Sequence, residues 1–147
     1  MKPDWILVAN AAHARLLQQE PAGRMTLLQS LEHPTSRMRS SQLGDDKAGR
    51  EFADRSFGGA AFSARTDAQR KERQRFARQL AELLEEGVRS QRFEAVHLFA
   101  SSPFLGELKR ALEPGTRRLL AGTHDVDLSA VGWAELPSRI ARETTMS

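Results

Sequence analysis

Trp5-Ile6-Leu7-Val8-Ala9 is an unbroken apolar run with β-branched members, the pattern of a strand covered on both faces. The chain turns polar at Asn10, becomes apolar again from Ala14 to Gln18, breaks at Pro21-Ala22-Gly23-Arg24 and resumes from Met25 to Leu31. Three strands this close in sequence must pair antiparallel, because a parallel connection needs a dozen residues or more.

Between His33 and Thr66 the periodicity stops. Four glycines, five serines, six Lys or Arg and four Asp or Glu fill the stretch, with Phe52, Phe57 and Phe62 spread among them, which predicts a long mobile polar loop at about 33–66. Thr66-Asp67-Ala68-Gln69 then has the form of a capping box. A helix is predicted to about Ser90, with Phe76, Leu80, Leu84 and Val88 as its core stripe and Ala77, Ala81 and Leu83 widening the buried face. Phe93 to Ala100 returns to strand character. Ser102 is read as the cap of a second helix with Pro103 at its first position, ended by Pro114-Gly115. Arg117 to Gly122 is read as a fifth strand, Asp125 to Gly132 as a loop and Ala134 to Glu143 as a terminal helix.

The predicted order is three strands, helix, strand, helix, strand, helix. A meander followed by two right-handed α/β crossovers gives an α/β fold: a mixed five-stranded sheet with helices on both faces, ribonuclease-H-like in order. The length of 147 residues predicts one domain over 1–147.

Charge narrows function little. The net charge of +3 comes from 22 basic and 19 acidic residues, too small an excess to identify a polyanion partner by itself. The absence of cysteine excludes disulfides, thiolate metal sites and cysteine nucleophiles. The first apolar run, about five residues long, is shorter than a signal-peptide core and far shorter than a bilayer span. A cytoplasmic protein without membrane attachment is therefore expected.

The chemistry-bearing residues do not assemble a catalytic set. His13, His33, His97 and His124 fall on different elements without metal-ligand spacing, and Asp125 with Asp127 is a pair common in polar loops. No metal, cofactor or catalytic residue is assigned. Nuclease chemistry would need acidic residues on central strands, where only Asp4 and Glu94 stand at the margins. Gly58-Gly59 lacks a phosphate-loop pattern, and Ser101-Ser102 lacks a nucleophile elbow.

The clearest local signal is basic. Arg65, Arg70, Lys71, Arg73, Arg75 and Arg78 crowd the first half of the long helix, where cations oppose the helix dipole at about 0.3–1 kcal/mol each near the first turn. Phosphate would compensate them. The plain alternative is a solvated face paired with Asp67, Glu72 and the loop carboxylates.

Trp5 to Leu16, Arg65-Thr66-Asp67, Arg75 to Ala81, Phe104 to Lys109 and Asp125-Val126-Asp127-Leu128, in this order and spacing, resemble the bacterial host attachment protein family over essentially the whole chain. That family in turn resembles the central domain of eukaryotic and archaeal class I peptide release factors. The release-factor domain carries a Gly-Gly-Gln loop just before a long basic helix. Phe57-Gly58-Gly59-Ala60 occupies the comparable place here, with alanine where the glutamine would stand, which argues against independent peptide release.

The resemblance implies a non-enzymatic domain that binds ribosomal or transfer RNA. The expected contacts are Arg55, Arg65, Arg70, Lys71, Arg73, Arg75 and Arg78, with Gly58 and Gly59 as candidate loop residues. Two other readings are a protein-interaction role in attachment to host cells or stress physiology, and a hydrolase acting on a peptidyl-tRNA-like ester. Exposed edges in a mixed sheet also allow a homodimer.

Overall fold

The computed structural model describes residues 2–33 and 66–146. Five strands form one mixed sheet: β1 (Asp4–Ala9), β2 (His13–Gln19), β3 (Met25–Glu32), β4 (Ala95–Ala100) and β5 (Leu120–His124). Their lateral order is β3-β2-β1-β4-β5. The first three pair antiparallel, and β4 runs parallel to both β1 and β5. Among the described residues four helices accompany them: α1 over 66–89, α2 (Phe104–Ala111), α3 (Pro114–Arg118) and α4 (Leu136–Met146). The α/β class, the meander and the mixed five-stranded sheet are as the sequence predicts.

The side-chain period of a strand explains how the layers assemble. On β1, Trp5, Leu7 and Ala9 face one layer while Ile6 and Val8 face the other. Leu16 continues the first face on β2, as do Val96, Leu98 and Ala100 on β4. Against that face pack Phe76, Leu80 and Leu84 of α1 together with Phe104, Leu105 and Leu108 of α2. The opposite face carries Leu17 and Phe99, covered by Leu136 and Ile140 of α4 and by Leu128. Cover on both sides is why the run 5–9 contains no polar residue.

The predicted stripe of α1 is buried at Phe76, Leu80, Leu84, Ala77 and Ala81, and partly buried at Leu83 and Val88. Gly87 is buried as well, because the Trp5 and Phe93 rings occupy the space where a Cβ would stand. These two rings stack with centroids 4.5 Å apart, and the Arg92 guanidinium lies 5.2 Å from the Trp5 ring centroid.

Three local expectations are corrected. Arg117 and Arg118, read as strand, close the short helix α3, which Pro114 opens at a position where its missing N–H costs nothing. Arg117 folds back and donates from Nε to the Leu112 carbonyl and from Nη2 to that of Lys109, satisfying the end of α2, so β5 starts only at Leu120. Ser102 does not cap α2, whose N-cap is Pro103 with no side-chain cap bond. Its amide and hydroxyl instead donate to Asp125. Thr66, read as a helix cap, is itself helical. The predicted polar loop lies almost wholly outside the described residues.

Candidate functional site

In open α/β sheets the carboxyl ends of parallel strands form the edge where ligands collect. Here that edge gathers Asn10 after β1, Ser101 and Ser102 after β4, and Asp125 after β5. The antiparallel registers Ala9↔Ala14 and His13↔Glu32 bring the start of β2 and the end of β3 to the same edge. The first turns of α1 lie there too, because α1 must run back along the sheet before β4 begins at the opposite edge.

His33 fastens this corner. Its backbone N–H donates to the Ala12 carbonyl at 2.8 Å, and its ring stacks on Phe76 with centroids 5.2 Å apart. His33 Nε2 lies 2.8 Å from Glu72 Oε2, and Arg75 Nη1 donates to Glu72 Oε1 at 3.0 Å. Glu72 is 3% exposed, and a carboxylate so buried requires such partners. Glu72 therefore acts as a structural anchor between β3 and α1 and at the same time as a counter-charge to the exposed Arg75.

The turn after β1 is built by Asn10. Its Oδ1 accepts from the Ala12 and His13 amides at 2.8 Å each, a local bond to which asparagine is suited. Its Nδ2 donates to Ser129 Oγ at 2.9 Å and Asp127 Oδ2 at 3.3 Å. Asp127 Oδ1 in turn accepts from the Ser129 amide and hydroxyl. Burial pushes the Asp127 carboxyl up, but the hydrogen bonds from Ser129 and Asn10 outweigh it and the pKa is lowered. Asp125 is also lowered, first by the Ser102 amide and then by the Ser102 hydroxyl. Both carboxylates are thus engaged in holding loops together. Among the described residues no group of three or more His, Asp or Glu is placed to hold a metal ion.

Beneath this edge Arg15 secures the loop over the α4 face. Its Nη2 donates to the carbonyls of Leu128, Ser129 and Val131 at 3.0, 2.8 and 2.7 Å. A second polar feature of that face is a pair of imidazoles. His97 on β4 and His124 on β5 stack with centroids 6.4 Å apart, and His124 also stacks on Phe99 at 4.4 Å. Burial lowers the His97 pKa, Asp4 opposes the shift, and His124 adds to it. Burial lowers that of His124 against Glu143.

The predicted basic residues separate on α1. Arg70, Lys71, Arg75 and Arg78 are exposed, and the last three share one stripe at i, i+4, i+7. Arg70 bonds Asp67 at 3.1 Å and Arg75 bonds Glu72. Lys71 and Arg78 have no ion pair among the described residues. Arg73 is the exception: it lies on the inner side of α1, partly buried, with a buried Nε that makes no hydrogen bond. Arg55, Arg65, Gly58 and Gly59 fall outside the described residues. Toward the carboxyl half of α1 the charge reverses. A cleft of about 370 Å³ there is lined by Glu82, Glu85 and Glu113 beside Arg78 and Arg89, so the basic stripe starts near the carboxyl edge of the sheet and ends at Arg78, where it meets these glutamates.

Sequence reasoning missed the Asn10–Asp127–Ser129 network, the His33–Glu72 anchor and the Arg15 clamp. Asn10 directly after a strand, and Asp127 two residues before Ser129, carry local turn signals. The other contacts span 39 residues for His33–Glu72 and 113 to 116 for Arg15, and no local pattern encodes them. Among the described residues no helix is long and apolar enough to cross a membrane. No curated protein matches the chain. A family model described as "Protein required for attachment to host cells" matches residues 5–140.

Proposed function

This chain belongs to the family of proteins required for attachment to host cells, and from that starting point we propose that it acts as a non-enzymatic RNA-binding domain. The observation that carries the reading is the exposed basic stripe Lys71, Arg75 and Arg78, with Arg70 beside it, running from the carboxyl edge of the sheet to the middle of α1. Lys71 and Arg78 form no ion pair among the described residues, and Arg70 and Arg75 keep more than half of their side chains in solvent. Guanidinium groups so placed suit phosphate, which they engage through paired N–H donors. The resemblance to the release-factor central domain, with its basic helix, points the same way and makes ribosomal or transfer RNA the favoured target. Asp125 and Asp127 at this edge are tied into loop hydrogen bonds with Ser102 and Ser129.

Fluorescence anisotropy of a labelled single-stranded oligoribonucleotide, titrated with the full chain across a potassium chloride series, tests the proposal. Four phosphate contacts give a slope of log Kobs against log salt of about −3. The triple variant Arg70→Glu, Lys71→Glu, Arg78→Glu should abolish binding and release the protein from ribosomes in a low-salt sucrose gradient. Unchanged binding and sedimentation in that variant would refute the reading.

A second reading follows the family description itself: a protein-interaction role in attachment. Leu27 and Trp133, 43% and 45% exposed, are the large apolar side chains that favour it. Loss of a partner protein on Trp133→Ser, with RNA binding intact, would support this reading over the first.

A further inference from the structure

Among the described residues the sheet has one long open edge. β3 lies outermost and pairs with β2 alone among the described strands. It is eight residues long, with Glu32 as its single charge and no lysine, proline or glycine. Soluble monomers usually blunt such an edge with charge, proline or short length, because its free N–H and C=O groups form a template for another strand. The opposite edge, β5, has five residues and is correspondingly less exposed to pairing.

Side-chain placement favours the same edge. The register slips opposite Leu16 and Leu17, and Leu28 and Leu31 both turn toward the layer of α1 and α2. Leu27 pairs with Leu17 and so lies on the α4 face, where it remains 43% exposed. Thr26, Gln29 and Ser30 are exposed too. The charges at the two ends of this strand have opposite sign: Arg24 immediately precedes it and Glu32 ends it, both exposed.

We propose that β3 is the docking edge for a second copy of this chain, paired antiparallel about a two-fold axis so that two five-stranded sheets join into one. Antiparallel pairing sets the start of each strand beside the end of the other. Arg24 of one copy then stands beside Glu32 of the other at both ends of the seam, as an isologous interface requires. Parallel pairing would oppose like charges instead. The seam also covers Leu27 and satisfies the outward backbone groups of β3.

Light scattering coupled to size exclusion, on the full chain over a concentration series at low salt, is the test. The wild-type chain is expected to reach twice the chain mass at the upper concentrations. Leu27→Lys should keep the single-chain mass there with an unchanged circular dichroism spectrum. Arg24→Glu alone opposes glutamates at both ends, and Glu32→Arg alone opposes arginines, so each should raise the dimer Kd on the order of tenfold. Mixed together, these two variants should form a heterodimer as tight as the wild-type dimer. That rescue separates interface charge from any effect on folding. A wild-type chain at single-chain mass throughout, a dimer that survives Leu27→Lys, or charge variants that fail to pair on mixing would each overturn the proposal.

Discussion

Gly87→Ala sets two effects of opposite sign against each other. In a helix interior alanine is favoured over glycine by about 1 kcal/mol, so helix propensity alone predicts stabilisation. The structure predicts the reverse. A Cβ at position 87 would stand 2.6 Å from Trp5 Cη2 and Cζ3 and 2.8 Å from Phe93 Cε1, about 1 Å inside ordinary carbon contact. Neither ring has room to yield: Trp5 and Phe93 are each 1% exposed, stacked on one another, and Trp5 Nε1 is held by Gln18. Overpacking a rigid site costs about 3 kcal/mol at the upper end of its range. The net is a destabilisation of about 2 kcal/mol, which lowers Tm by about 4–8 °C in a chain of this size. Gly106→Ala is the internal control, since its Cβ would meet the end of the Arg110 guanidinium, Nη1 at 3.5 Å and Nη2 at 3.9 Å, and helix propensity should raise stability by about 0.5–1 kcal/mol. Urea unfolding followed by circular dichroism measures both. Gly87→Ala at or above wild-type stability would refute the packing argument, and a fall in both variants would show that α1 and α2 respond to something other than local crowding.

Other outcomes follow from the same geometry. Because His97 and His124 carry lowered pKa values when folded, the unfolded chain binds more protons just below its own histidine pKa of about 6.5. Stability should therefore be full above that pH and fall as pH drops through it; His97→Gln should flatten the fall between pH 7 and 5 in thermal scans, and an unchanged slope would dismiss the histidine pair as its source. Arg15→Met removes the two N–H donors of Nη2 that three loop carbonyls share while keeping an apolar stem, and should cost about 2 kcal/mol. Faster amide hydrogen exchange at 128–131 than elsewhere in the chain would confirm where that loss is felt. For the RNA reading, single reversal of Lys71 or Arg78 should reduce the salt slope by about 0.7 each, whereas Arg73→Gln should leave it unchanged.

The class of fold was legible because it rests on short-range periodicity. The unbroken run 5–9, the i, i+4 stripe of α1 and the brevity of the turns between the first three strands each dictate a local state, and chain economy then forces a mixed sheet with helices on both faces. Local signals with two readings went astray for equally physical reasons. Pro114 both stops one helix and starts another, and only Arg117 reaching back to the carbonyls of Lys109 and Leu112 decides that a helix follows. Ser102 before Pro103 has the look of a cap until Asp125, 23 residues away, takes its amide and hydroxyl. The cluster of basic residues was visible from composition, but the helical turn alone does not say that Arg73 faces inward while Lys71 and Arg78 face water; the sheet on which α1 packs decides it. By itself the sequence determined which segments are strands and helices and where positive charge accumulates, because these depend on neighbours within a turn or two. Tertiary structure alone decided that Glu72 belongs to His33, that Asn10 belongs to Asp127 and Ser129, and that β3 is the outermost described strand. Each is a meeting of chain segments brought together by the common core.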